Sequence, residues 1–277
     1  MTSIDMQGLA TILREVADAE IMPRWKSLEE GQIREKTGPL DLVTDADVAA
    51  EKLLVQRLPE LLPGSIVVGE ESIEADKSLF NLIGSDQYVW IVDPVDGTNN
   101  FAKGSERFCV MVALVHGDET LVSAIHHPVG GETLLAEKGG GAVLRSSQGE
   151  RKLAVSSKTH LSEMRGSFNM RFLPDDVRPK AREAANTHLT DRHFRHGCAG
   201  FDYTQLAKAE YEFCFYWKKM PWDHAPGLLI HKEAGGYSAC LDGRPYIPRD
   251  LTGGLLVTPD RDSWEAFHAA VLAPLQL

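Results

Sequence analysis

Cysteine is scarce and unpatterned here. Cys109, Cys198, Cys214 and Cys240 are scattered through 277 residues, and no two form a C-x-x-C pair. That excludes the common zinc and redox spacings and, in a chain this long, argues against a disulfide frame, leaving reduced packing residues. No run approaches the eighteen or so apolar residues that would span a bilayer, and the N-terminus has no basic region followed by an apolar stretch. The expectation is a cytoplasmic protein without contact to a membrane. A surplus of positive charge is missing too: 29 Lys and Arg against 40 Asp and Glu leave a net charge of −11. This disfavours a nucleic-acid binder that relies on broad positive charge. It does not disfavour a small anionic substrate, because a bound cation reverses the local field. Internal repeats and low-complexity segments are absent. With 43% hydrophobic and 25% charged residues, the chain suits one large domain or two halves sharing a core.

The most informative stretch is Trp90-Ile-Val-Asp-Pro-Val-Asp-Gly-Thr-Asn-Asn-Phe101. Tyr88 to Val92 is β-branched and aromatic, which reads as a buried strand. Asp93-Pro94 is expected to stop it, because proline has no N–H for the ladder. Gly97-Thr98-Asn99 then turns the chain and opens a helix with free N–H groups. Two carboxylates and a helix start within six residues suit a hard cation and a bound anion. Alone, the same residues are also ordinary turn and cap residues.

Two further stretches shift that balance. Val67-Val68-Gly69-Glu70-Glu71-Ser72 is an apolar strand ending in acids, and Pro221-Trp222-Asp223-His224-Ala225-Pro226-Gly227 places an Asp at a helix start. Gly-Glu-Glu, Asp-Pro-Val-Asp-Gly-Thr and Trp-Asp-His-Ala-Pro-Gly, in that order, resemble the inositol monophosphatase family of magnesium-dependent phosphatases. The resemblance runs from Lys36 to Glu233-Ala-Gly-Gly236. The rival Asp-x-Asp-x-Thr phosphatase motif fails, since two residues separate Asp93 from Asp96.

Along the chain, residues 4–26 carry apolar positions on one helical face. Residues 36–47 are turn-rich, with Thr44 or Asp45 capping a helix that runs towards Pro63-Gly64. Strands are expected at 66–68, 107–115, 121–125 and 133–137, in an antiparallel meander with a hairpin at Gly139-Gly140-Gly141. Past residue 146 come strands at 152–156, 165–170, 213–217, 237–239 and 254–258. Helices are expected at 175–189, from about 201 to 210, at 222–234 and at 262–272, with a turn over Phe194 to Gly200. Strands and helices interleave in both halves, 1–145 and 146–277, hence an α/β (or α+β) layered fold. The resemblance makes it an α-β-α-β-α sandwich of the inositol monophosphatase and fructose-1,6-bisphosphatase type, with most metal ligands in the first half.

The resemblance also implies a site. Glu70, Asp93, Asp96, Asp223 and the Val95 carbonyl become the metal ligands. All are oxygen donors, favouring two or three magnesium ions, or manganese, over zinc. Glu70, Thr98 and Asp47 become catalytic, with Thr98 and Asp47 orienting the attacking water. Gly97, Thr98, Gly197, Ala199 and Tyr216 become substrate-binding. The implied activity is hydrolysis of a small phosphate ester resembling inositol 1-phosphate, by a homodimer.

Departures from the family pattern lie on the substrate side. Inositol-specific members carry a Glu seven residues before the last metal Asp, where this chain has Tyr216. The family's Gly-Ser/Thr-Ala-Ala turn reads Gly197-Cys198-Ala199-Gly200. Lys218 and Lys219 suggest a second phosphate, as in fructose 1,6-bisphosphate or 3′-phosphoadenosine 5′-phosphate, or else are solvated; histidinol phosphate is a further alternative. His126, His127 and His224 read as packing histidines. A non-enzymatic protein that keeps the fold to bind a partner is the reading of a different class, and loss of metal ligands would favour it.

Overall fold

The computed structural model describes residues 4–27, 31–38, 41–189 and 196–277. Helix α1 (Met6–Val16) is capped by Asp5 and buries Leu9, Ile12, Leu13 and Val16 along one face. Residues 36–47 were expected to be turn-rich; the described residues there contribute instead to a two-stranded antiparallel ribbon, β1 (Ile33–Gly38) with β2 (Asp41–Thr44), and to the helix that follows. From Ile33 to Lys36 the strand is exposed or half-buried and shows no apolar alternation to read. Thr44 caps α2 (Asp45–Arg57) in a capping box with Asp47. That helix ends earlier than expected, passing into a 3₁₀ turn at Leu58–Glu60.

A seven-stranded sheet follows. It consists of β3 (Ile66–Gly69), β4 (Tyr88–Asp96), β5 (Cys109–His116), β6 (Glu119–His127), β7 (Glu132–Glu137), β8 (Gly141–Ser146) and β9 (Gly149–Lys152), in that spatial order. β3 pairs with β4 in parallel through α3 (Glu70–Ala75) and a 3₁₀ turn; the other pairs are antiparallel, with short turns between them. The short helix α4 (Thr98–Ala102) sits between β4 and β5. The strand expected at 152–156 ends at Lys152.

The second sheet takes its strands from the rest of the chain. Its order is β10 (Gly166–Phe168), β11 (Phe213–Tyr216), β13 (Leu255–Thr258) and β12 (Tyr237–Ala239). Between them run α5 (Arg178–His188), α6 (Ala199–Ala207), α7 (Pro221–Glu233) and, last, α8 (Arg261–Phe267). Phe194, where a turn was expected to begin, lies outside the described residues.

Strand alternation sets the layers. In β5, Val110, Val112 and Leu114 join the core that α1 and α2 cover. Cys109 and Met111 face the opposite way, into the core shared with α6 and α7. In β11, Cys214 and Tyr216 meet that same core from the other side, while Phe213 and Phe215 pack under α5 and α8. Helices, sheet, helices, sheet, helices: this is the α-β-α-β-α sandwich. Its middle helical layer has to suit two sheets at once, so α7 buries nearly every residue. Gly227 is needed there, because a Cβ would fall 2.1 Å from the Tyr203 ring.

Candidate active site

The parallel pairing of β3 with β4 ends with Gly69 opposite Val92, which brings the next residues, Glu70 and Asp93, to the same sheet end. Ligands favour this position, outside the carboxyl ends of parallel strands. The strand does not stop at Asp93, as the proline suggested. It runs on to Asp96 through a bulge, with Asp93 opposite Met111 and Asp96 opposite Cys109. Two residues on β4, Pro94 and Val95, thus face one on β5, Val110, and Pro94 sits where no N–H is required. The bulge matters chemically. Residues three apart on a regular strand point to opposite faces, and one extra residue returns them to the same side. Carboxylate oxygens of Asp93, Asp96 and Asp223 accordingly lie within 4.8 Å of one another.

Asp223 comes from the first turn of α7, which points its N-terminus at this spot. Burial holds the carboxyls of Asp93 and Asp223 well above the usual carboxylate range, and the charges of Glu70 and Asp96 push further in the same direction. Asp96 is also raised by burial, partly offset by hydrogen bonds from Cys198 and Gly200. Its Oδ2 accepts from Gly200 N at 2.6 Å and Cys198 Sγ at 3.0 Å. Buried carboxyls pressed together in this way are unfavourable as anions unless a cation joins them. The donor set is oxygen throughout, which suits a hard divalent cation.

Glu70 opens α3, and its Oε1 accepts from Lys36 Nζ at 2.8 Å; the same ammonium donates to Glu71 Oε1 at 2.6 Å. Burial lifts the Glu71 carboxyl to about 7 despite that hydrogen bond. Burial alone would lower the Lys36 pKa, but its two glutamates overcome this and raise it. The start of α3 is fixed from below by Glu51, whose carboxylate accepts from Glu71 N at 2.9 Å and Ser72 N at 2.7 Å. Sequence reasoning missed Glu51. The available signal was its i, i+4 spacing from Asp47 on one face of α2.

Asp47 joins two segments. Its Oδ2 accepts from Thr44 N at 2.9 Å and Thr44 Oγ1 at 2.5 Å, while Oδ1 lies 3.1 Å from Thr98 Oγ1. Burial raises its pKa to about 6, against the Thr44 hydrogen bonds that lower it. Thr98 Oγ1 is also 3.0 Å from the Val95 carbonyl, so its single proton can serve only one of two acceptors. Gly97, before it, has φ of +89°, and a Cβ there would meet the Arg107 carbonyl at 2.8 Å. Glycine is therefore required at this turn.

These groups open into a cleft of about 630 Å³. Gly97, Thr98, Gly197, Ala199 and Tyr216 all border it. Asn100 Nδ2 ties their two loops together by donating to the carbonyls of Arg107 and His196, each at 2.8 Å. Tyr216 is only 5% exposed, and its hydroxyl donates to Asp202 Oδ2 at 3.1 Å. Asp202, also missed from sequence, is held by His196 Nδ1 at 2.7 Å and presents a buried carboxyl to the cleft wall. Lys219 cannot meet a second phosphate. It is fully buried, with Nζ 3.1 Å from Cys240 Sγ and 3.5 Å from Asp250. Lys218 does border the cleft, its Nζ 5.3 Å from the Phe172 ring centroid. His126 and His127 are buried against Thr133 and Thr204, and burial drives their pKa values down to about 4 and about 3. His224 borders the cleft but is tied to Tyr203 and the Lys218 carbonyl.

The inositol monophosphatase family model matches residues 5–276. The chain belongs to that family. A Thermotoga maritima protein named fructose-1,6-bisphosphatase/inositol-1-monophosphatase is 32% identical over 235 residues, covering 84% of this chain and 83% of its own. The Nus factor SuhB of Xylella fastidiosa is also 32% identical, over 211 residues, covering 74% and 70%. Among solved structures, the Thermotoga maritima IMPase superposes with a TM-score of 0.81 at 26% identity, over 98% of this chain and 97% of that one. Family membership makes the chain a phosphoric monoester hydrolase. The inositol monophosphatase family is metal-dependent, and the acidic cluster at the end of β4 supplies residues able to hold the metal.

Proposed function

We propose that the protein is a magnesium-dependent phosphomonoesterase acting on a small phosphorylated metabolite. The observation that carries this is the convergence of Asp93, Asp96 and Asp223 at the end of β4, with Glu70 beside them; burial and neighbouring charge raise the three Asp carboxyls. In this reading Glu70, Asp93, Asp96, Asp223 and the Val95 carbonyl hold two or three magnesium ions, with manganese as a substitute. Bound there, the metal supplies charge neutralisation at phosphorus and a nucleophilic water at neutral pH. The protein's own groups do the rest. Thr98 Oγ1 would accept a hydrogen bond from an attacking water while its own proton is donated to Asp47 Oδ1, the residue placed to take up a proton. Gly97 and Thr98 border the cleft at the start of α4, where N–H groups lack intrahelical acceptors, and in this reading these N–H groups donate to the phosphate. Gly197 and Ala199, on the adjoining loop, complete the phosphate side in this reading, and Tyr216 forms the wall under the leaving group.

The substrate side does not favour inositol 1-phosphate. The hydroxyl of Tyr216 is already engaged with Asp202, so position 216 offers a polyol an aromatic wall rather than a free carboxylate. Homodimeric assembly, carried over from the family, and the cytoplasmic setting expected from the sequence complete the reading. The SuhB name of one relative points to a partner-binding role instead, but every proposed ligand is retained here. The deciding experiment is phosphate release from a panel of esters, including inositol 1-phosphate, fructose 1,6-bisphosphate and nucleoside phosphates. Activity that needs magnesium and vanishes with chelator supports the reading. Equal turnover without divalent metal would sink it.

A further inference from the structure

Beside Asp96 lies a second donor set of a different chemical character. Cys198 Sγ is 3.0 Å from Asp96 Oδ2, Cys109 Sγ is 3.6 Å from the same oxygen, and the two sulfurs are 3.8 Å apart. All three side chains are buried, and their donor atoms lie within 4.8 Å of one another. A tetrahedral zinc ion with sulfur ligands at about 2.3 Å and an oxygen ligand at about 2.1 Å requires edges of roughly 3.8 Å between sulfurs and roughly 3.6 Å from sulfur to oxygen. Two of the three edges already have these lengths. The third, from Cys198 to Asp96, is short by about 0.6 Å, an adjustment that side-chain rotation can supply.

The triangle is built on rigid elements. Cys109 is the first residue of β5 and pairs directly with Asp96 in the sheet register. Cys198 is the N-cap of α6. Gly200 makes their approach possible, since a Cβ there would lie 2.4 Å from Cys109 Sγ, 2.9 Å from Met111 Sδ and 3.2 Å from Asp96 Oδ2. Both thiols are free, and Cys198 lines the active-site cleft, which gives an ion a route in. Thiolates select soft or borderline cations and do not suit magnesium.

We propose that Cys109, Cys198 and Asp96 form a binding site for a thiophilic divalent cation of the zinc and cadmium class, and that its occupation inhibits the enzyme by drawing Asp96 away from the magnesium cluster. Binding releases the two thiol protons to solvent and leaves water or the cleft side open as the fourth ligand position. The inhibitory half rests on the magnesium-phosphatase reading above; the binding half does not.

The test uses the reduced full chain in saturating magnesium, titrated with cadmium and followed by the ultraviolet cadmium–thiolate charge-transfer band, which magnesium cannot produce. The expected result is one cadmium per chain with the intensity of two thiolates. Cys109→Ser and Cys198→Ser should each halve that intensity and weaken binding at least about tenfold, and the double variant should show no band. Zinc inhibition, normalised to each variant's own zinc-free rate, should weaken in parallel. Alkylation mapped by mass spectrometry on the unmutated chain gives a second measurement should a variant misfold: cadmium should protect Cys109 and Cys198, not Cys214 and Cys240. Absence of the band, persistence of the band in the double variant, or protection of the other pair overturns the site. Full zinc inhibition in the double variant overturns the inhibitory mechanism. If no ester is hydrolysed at all, the phosphatase reading fails while the cadmium band still decides the site.

Discussion

Thr98 Oγ1 lies 3.1 Å from Asp47 Oδ1 across 51 residues of chain, joining the first turn of α2 to the turn that follows β4. The contact exists because Asp47 has two oxygens with different duties. One closes the Thr44 capping box, and the other is left for Thr98. A cap residue is thereby also a candidate proton acceptor.

Thr98→Ala should lower kcat about a hundredfold or more, the usual scale for losing a positioned proton-transfer group. Magnesium binding, measured by calorimetry, should survive. Thr98→Ser should recover most of the rate, because the hydroxyl is kept. Full activity in the alanine variant would remove Thr98 from the mechanism.

Asp93→Asn should abolish turnover and stabilise the metal-free protein. Its carboxyl is raised by burial, then by Glu70, Asp96 and Asp223, so the ionised form is unfavourable without metal. Relief of about 1 kcal/mol corresponds to a rise of about 2–4 °C in Tm for a chain of this size. Scanning calorimetry in chelator checks it. A lower Tm would mean that Asp93 is stabilised by its hydrogen bond from Val95 N more than it is strained by its neighbours.

Stabilisation by magnesium should grow with pH. Asp47 and Glu71 titrate in the folded protein at about 6 and about 7, above their unfolded values. A carboxyl raised by folding favours the folded state at low pH; that contribution is lost as pH rises through the folded pKa. The metal-free protein therefore becomes relatively less stable between about pH 4 and pH 7 on account of these two groups, and magnesium offsets the loss. The magnesium-induced shift in Tm should be larger at pH 8 than at pH 5.5. Equal shifts at both would contradict a site that protons and metal share.

Tyr216→Glu should raise kcat/KM for inositol 1-phosphate relative to a nucleotide phosphate, compared within each enzyme. The control is Tyr216→Phe, which frees Asp202 Oδ2 from its hydrogen bond without adding charge. If the unmutated enzyme already prefers inositol 1-phosphate across the panel, polyol recognition belongs to another group, and Asp202 is the first to test.

From the sequence alone, the apolar run of β5 and the aromatic run of β11, the carboxylates following the apolar stretches of β3 and β4, and the Asp at the start of α7 were legible. Each is a local pattern: an apolar run, a turn residue, a helix cap. The family resemblance ordered them into a layered sandwich. Only the tertiary structure decided that Asp93 and Asp96 share a side, because a bulge is a property of two paired strands and Pro94 alone read as a stop. Only it showed Lys219 buried beside Cys240 and Asp250, the Tyr216 hydroxyl turned to Asp202, and two distant cysteines meeting beside the Asp96 carboxylate. Those relationships depend on which faces of α6, α7 and two sheets meet, and contacts across such distances leave no period in the chain.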